Sequence, residues 1–200
     1  LWFKEGPQVK YWVRESSCWQ VPVFDHEMSS CEPCYSWNLM LRLMRDERPE
    51  YIEGMYSMIA GSLGRELLSD VETRHGRFAT GFSTPVSFYL FRHAIIHENG
   101  DMLELLKMAP EAWLKPGNVL SLTDIPTQFG PMSITVRVTQ VGKTIQYAIE
   151  LKSPTRQRPE RMVLHVSPIA TPTPQVIVNG REINVSANGT VDLTGLLLAD

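Results

Sequence analysis

A single change of period constrains this chain more than any other feature. Apolar residues recur at helical spacing up to about Glu98, and two-residue alternation takes over from there to the end. One such switch predicts a helical part, residues 1–98, followed by an all-β part, residues 99–200, and so an α+β multidomain architecture. The loops of the helical part hold nearly all the chemically versatile side chains, so function is expected before residue 98.

In the helical part, a polar segment dense in charge runs from Phe24 to Cys34 and is closed by Pro33. A helix is expected from about Ser36, with Leu39, Met40, Leu43 and Met44 on one face. Pro49 suits the first position of a second helix, whose stripe reads Ile52, Met55, Tyr56, Ile59, Ala60, Leu63. The short Asp46-Glu47-Arg48 connection makes these two helices antiparallel neighbours. A second polar loop, Leu68 to Thr84, leads to Ser83-Thr84-Pro85, an N-cap and first-turn proline that launch a third helix through Val86, Tyr89, Leu90, His93, Ala94 and His97. In an up-down-up series the loops before the first and third helices emerge at the same end. Glu32 and Glu72 therefore share a rim with Asp25, His26, Glu27, Tyr35, Trp37, Arg74 and His75.

In the β part the apolar runs are Ile134, Val136, Val138; Ile145, Tyr147, Ile149, Leu151; Met162, Leu164, Val166; Val176, Val178; Ile183, Val185; and Val191, Leu193. Each has one apolar face, the pattern of half-buried strands in an antiparallel sandwich or barrel. Asn179-Gly180 is a strong hairpin signal and Gly142-Lys143 a weaker one. Pro110-Glu111-Ala112-Trp113-Leu114 suits a short helical turn, and Thr171 to Pro174 a connector between strands.

Charge and hydropathy exclude several partners. The 19 basic and 22 acidic residues leave a net charge of −3 with no basic cluster, so neither nucleic acid nor a lipid surface is expected as partner. Nowhere do eighteen apolar residues run uninterrupted, so no membrane span is expected. The chain opens on Leu1-Trp2-Phe3 without an initiator Met, which points to the C-terminal piece of something longer. Cys31 and Cys34 have the spacing of a redox or zinc half-site. No second cysteine pair completes it, so Cys18, Cys31 and Cys34 are expected as buried or free thiols, with no metal and no cofactor. His93 and His97 stand four apart without a third ligand nearby. Asn184-Val185-Ser186 and Asn188-Gly189-Thr190 are glycosylation sequons.

Two carboxylates facing a pocket can divide the labour of glycosidic cleavage, one protonating the leaving oxygen while the other activates water or attacks the anomeric carbon. Tyr35, Trp37 and Trp19 can stack on sugar rings. For any single acidic residue of the rim the competing role is solvation, capping or pairing with an arginine, and the tryptophans compete as core.

Three stretches carry a resemblance: Glu32-Pro33-Cys34-Tyr35-Ser36; Thr73-Arg74-His75-Gly76 ahead of Thr84-Pro85; and Ala109-Pro110-Glu111-Ala112-Trp113-Leu114 followed by Ile125-Pro126-Thr127-Gln128-Phe129-Gly130-Pro131-Met132-Ser133. Together with Val178-Asn179-Gly180-Arg181-Glu182, they make the chain resemble the C-terminal portion of bacterial six-hairpin glycosidases, α-L-rhamnosidase-like relatives included. The resemblance implies the end of an (α/α)6 helical barrel in residues 1–98 and a C-terminal antiparallel β-sandwich in residues 99–200. It further implies a hydrolase of plant or microbial polysaccharide, with Glu32 and Glu72 as catalytic candidates and Asp25, His26, Tyr35, Trp37, Arg74 and His75 as substrate-binding ones. The missing barrel helices of its own chain would be its partner, the isolated 200 residues would be inactive, and the substrate class points to a periplasmic or extracellular location. The alternatives are a polysaccharide lyase, with Tyr35 or His75 as base and Arg74 neutralising a uronate, and a non-catalytic carbohydrate-binding or scaffold fragment.

Overall fold

Residues 17–18, 21–22, 33–62, 83–166 and 174–198 are described in the computed structural model. The chain divides into two compact units, Leu1–His93 and Ala94–Asp200.

In the first unit, β1 (Ser17–Cys18) and β2 (Val21–Pro22) form a minimal antiparallel ladder. Among the described residues three helices follow, α1 (Pro33–Met44), α2 (Arg48–Ser62) and α3 (Ser83–Ile95), the last two residues of α3 belonging to the second unit. Helix α1 begins three residues earlier than the sequence suggests, because proline is well suited to a first helical turn. The link between α1 and α2 is closed by Glu47 N–H donating to Arg42 O at 2.9 Å, by Asp46 in the left-handed region at φ 57°, and by the buried Arg42 guanidinium on the Glu47 carboxylate. The two helices approach so closely that a Cβ on Gly54 would lie 2.2 Å from Leu39 Cδ2. The buried stripe of α2 is Tyr51 and Met55, whereas Tyr56 is exposed, so the face turns away from the expected Ile52–Tyr56 line. Tyr51 sets that rotation: its hydroxyl donates to Leu90 O of α3 at 2.8 Å, and burial, then the neighbouring Tyr89, raises its pKa above the usual phenol range.

The expected (α/α)6 barrel is not this fold. Among the described residues strand outweighs helix, with three short helices against eleven strands, and the two larger sheets are mixed. Two features oppose a longer helical run. Gly54 and Gly61 lower the helix propensity of α2, and the β-branched pair Ile95-Ile96 takes the chain from helix straight into strand, so His97 lies on a strand rather than four residues along a helix from His93.

The second unit is a sandwich of a five-stranded and a four-stranded sheet. β3 (Ile96–Asn99) and β4 (Met102–Leu105) form a hairpin; β5 (Val119–Ile125), β6 (Met132–Val141) and β7 (Thr144–Lys152) form a meander; β8 (Arg161–His165), β9 (Gln175–Val178), β10 (Arg181–Ile183) and β11 (Thr190–Asp192) complete it. The sheet orders are β10-β9-β7-β6-β5 and β11-β8-β4-β3. Purely antiparallel sheets were the expectation, but β4 pairs β8 and β7 pairs β9 in parallel. The chain leaves the larger sheet after β7, adds β8 to the smaller one, and returns as β9 beside β7. The Asn179-Gly180 and Gly142-Lys143 hairpins are present, and a 3-10 turn occupies Glu111–Leu114. Residues 171–173 lie outside the described part.

One face of each strand of this unit contributes to a shared core. Ile96, Leu103, Leu105, Met162, Leu164 and Val191 of the smaller sheet meet Ile134, Val136, Val138, Tyr147, Ile149, Val176 and Val178 of the larger. Fully burying each aliphatic side chain of this kind contributes about 1.5–3 kcal/mol, which is what holds two sheets with so little helix together.

The Ile125-to-Ser133 stretch is a clamp at the end of the sheets. Thr127 Oγ1 donates to Gly130 O at 2.6 Å, Phe129 is buried, and Phe129 O accepts from Arg156 N at 3.0 Å and Gln157 N at 2.9 Å. The Gln128 side chain donates to Gly100 O and its backbone N–H to the Glu98 carboxylate, tying down the β3–β4 tip.

Candidate functional site

The six loop candidates Asp25, His26, Glu32, Glu72, Arg74 and His75 lie outside the described residues, as do Glu27 and Cys31. Tyr35, Trp37 and Cys34 stand on α1, whose backbone is described there but whose side chains are not. Helix α1 starts at Pro33, immediately after Glu32, and α3 starts at Ser83, eleven residues after Glu72.

Among the described residues, the densest group of ionisable side chains is one the sequence reading passed over. It sits on the face of the smaller sheet opposite the sandwich core. Alternation along β4 sends Leu103 and Leu105 into the core and Glu104 the other way, and on β3 it sends Ile96 in and His97 out. His97 and Glu104 are direct cross-strand partners, and His165 lies two residues beyond Val163, which faces Glu104 across the parallel pair. Glu104 Oε2 accepts from Lys107 Nζ at 2.8 Å and is 4.0 Å from His97 Nε2, while Glu104 Oε1 lies 3.2 Å from His165 Nε2. Glu104, Lys107 and His97 are buried, and His165 is partly exposed.

A sharp backbone turn delivers Lys107 to this carboxylate. Leu106 is buried with φ 58°, a conformation rarely adopted by a bulky residue. Its N–H donates to Ile95 O at 2.7 Å, and Met108 N–H donates to Ala94 O at 3.1 Å. These bonds fold the chain back after β4, at a backbone cost of about 1–3 kcal/mol.

The electrostatics decide what the group can do. Burial by itself would raise the Glu104 pKa, but hydrogen bonds from His165 and Lys107, together with their charges, outweigh it and pull the value down to about 2. At neutral pH the group is therefore ionised. A general acid needs a pKa near the working pH, so Glu104 is an anion that organises its neighbours rather than a proton donor. The readable signal was a glutamate and a lysine inside the apolar run Met102-Leu103-Glu104-Leu105-Leu106-Lys107, since charges within buried strands are almost always paired.

Elsewhere the polar contacts are structural. On the outer face of the larger sheet Ser121 and Thr135 meet at 2.8 Å and Arg137 meets Glu150 at 2.6 Å. Asp192 is held below the usual carboxylate range by hydrogen bonds from Thr194, with Arg161 adding to them. Among the described residues no group of three or more His, Cys, Asp or Glu side chains is arranged to hold a metal ion, and no helix is long and apolar enough to cross a membrane.

No family model, curated protein or solved structure matches this chain.

Proposed function

We propose that this chain belongs to a carbohydrate-cleaving hydrolase in which the β-sandwich is a non-catalytic module and Glu32 and Glu72 divide the acid and base roles. The observation that carries the reading is the state of Glu104. It is the one buried carboxylate among the described residues, and its partners hold it ionised, so Glu104 is not itself a carboxylic-acid proton donor. The acid–base chemistry then falls to the acidic residues that precede α1 and α3 in the sequence, Glu32 and Glu72. The motif resemblance supports a glycan as substrate, with Tyr35 and Trp37 for ring stacking. A polymeric substrate places the enzyme outside the cytoplasm.

The test is turnover by the intact protein on a panel of plant and microbial oligosaccharides, following reducing ends and ultraviolet absorbance together. Reducing ends without absorbance are expected, and Glu32→Gln and Glu72→Gln should each cut turnover about a hundredfold or more. An absorbing unsaturated product would replace hydrolysis by elimination. Wild-type turnover in both variants would move the catalytic pair elsewhere. Glycan retention without turnover would leave a binding module.

A further inference from the structure

Asparagine precedes glycine three times, at Asn99-Gly100, Asn179-Gly180 and Asn188-Gly189, and all three asparagines are exposed. Such a pair can react with itself. The glycine amide nitrogen, having lost its proton to hydroxide, attacks the asparagine Cγ. A new N–Cγ bond forms, the Cγ–Nδ2 bond breaks, and the nitrogen departs as ammonia after taking a proton from water. Water then opens the cyclic imide at either carbonyl, leaving aspartate or isoaspartate. Glycine permits ring closure because it has no side chain to obstruct the approach. The reaction needs a carboxamide free to turn and an amide nitrogen free to ionise.

Asn179 lacks the first requirement. Its Nδ2 donates to Leu151 O at 2.9 Å and its Oδ1 accepts from Leu151 N at 2.8 Å, so the carboxamide extends the β7–β9 ladder. Asn188 lacks both. Its Oδ1 accepts from Ser186 Oγ and from Thr190 Oγ1 at 2.8 Å, while the buried Gly189 donates its N–H to Ser186 O at 2.9 Å.

Asn99-Gly100 meets both requirements. Asn99 pairs with Met102 at the end of the β3–β4 ladder, which leaves Gly100 in the exposed turn at φ 58°. Among the described residues nothing hydrogen-bonds the Asn99 carboxamide or the Gly100 N–H. We propose that Asn99 is a site of spontaneous deamidation and isoaspartate formation in this protein, and that the other two pairs are protected by their hydrogen bonds. The site also matters to the fold. Isoaspartate inserts a methylene into the backbone of a turn whose Gly100 O is held by Gln128 and whose Asp101 O accepts from Glu160 N at 2.9 Å. It also adds a negative charge between Glu98 and Asp101.

The intact protein is incubated in mildly alkaline buffer, folded and in strong denaturant, and aspartate and isoaspartate are quantified at each pair by peptide mass spectrometry. Folded, Asn99 should convert at least about tenfold faster than Asn179, which must first break two hydrogen bonds, or Asn188, whose pair must break at least three. In denaturant the three rates should converge. Ser186→Ala should then speed Asn188 alone, and acceleration at all three sites would reveal unfolding instead, in which case the wild-type ordering decides. Folded-state conversion at Asn99 no faster than at Asn179, or an ordering that survives in denaturant, would overturn the proposal.

Discussion

At neutral pH Glu104 has a charge and no proton to give, and the cost of that arrangement is visible as acid sensitivity. Its pKa lies at about 2 in the fold against 4.5 as the ordinary value, so the folded state binds fewer protons between them. The stabilisation is therefore full above about pH 5 and is lost as pH falls through 4.5 towards 2, an effect on the order of 3 kcal/mol. Denaturation midpoints in urea followed down this range should fall steeply, and Glu104→Gln should flatten that dependence. The same substitution leaves Lys107 buried beside a neutral amide and should lower stability at neutral pH by about 3 kcal/mol. Tyr51→Phe is milder: it removes the hydroxyl bonded to Leu90 O and should cost about 1 kcal/mol by the same measurement, with helix content retained. Neither residue announced itself through spacing. Glu104 was legible only as a charge out of place in an apolar run, and Tyr51 only once its partner across the helices was known.

Strands were easier to read than helices, for a reason that Met132–Val141 and Thr144–Lys152 make plain. Two residues per repeat tolerate no drift, so Ile134, Val136 and Val138 opposite Leu151, Ile149 and Tyr147 could face only one way. The 3.6-residue period is looser, and α2 rotated its buried face from Ile52 to Tyr51 to reach α3. β3 and β4 escaped notice because two charged or polar neighbours, His97 and Glu104, are buried on the face opposite the core, which erases the alternation. Between elements, the 126–131 loop is the most exacting segment. Gly130 has φ 114°, and a Cβ there would come within 2.9 Å of Arg156 N, a backbone atom unable to swing away. Gly130→Ala should therefore destabilise by about 3 kcal/mol in a thermal or urea melt, and an unchanged melt would show that the loop gives way.

Alternation reports which face of a strand is apolar, but it names neither the neighbour nor the direction of pairing, so the parallel pairs stayed hidden in the sequence. A barrel was equally beyond reach: it depends on how many helical hairpins close a ring, which the pattern of any one helix does not report, and the described residues hold only three helices. The parallel pairs have a kinetic consequence. Met102 opposite Arg161 and Gln146 opposite Gln175 join distant segments, so refolding of the sandwich should fall in the millisecond-to-second range. Pulsed hydrogen exchange should find the β6–β7 hairpin protected first, and earlier protection of β4 would refute that order. The proposed glycan chemistry rests on residues named from sequence alone, Glu32 and Glu72 above all. The clamp around Gln128 and Phe129 also divides the surface into what can and cannot be rewritten. It grips the β3–β4 tip on one side and Arg156–Gln157 on the other, so a foreign segment spliced there would loosen both at once. The exposed Gly142-Lys143 turn is tied to its own hairpin, by the Val141–Thr144 pair and the Gln140 side chain on Gly142 O, which makes it the natural port for an epitope, a fluorophore or a new pair of chain ends.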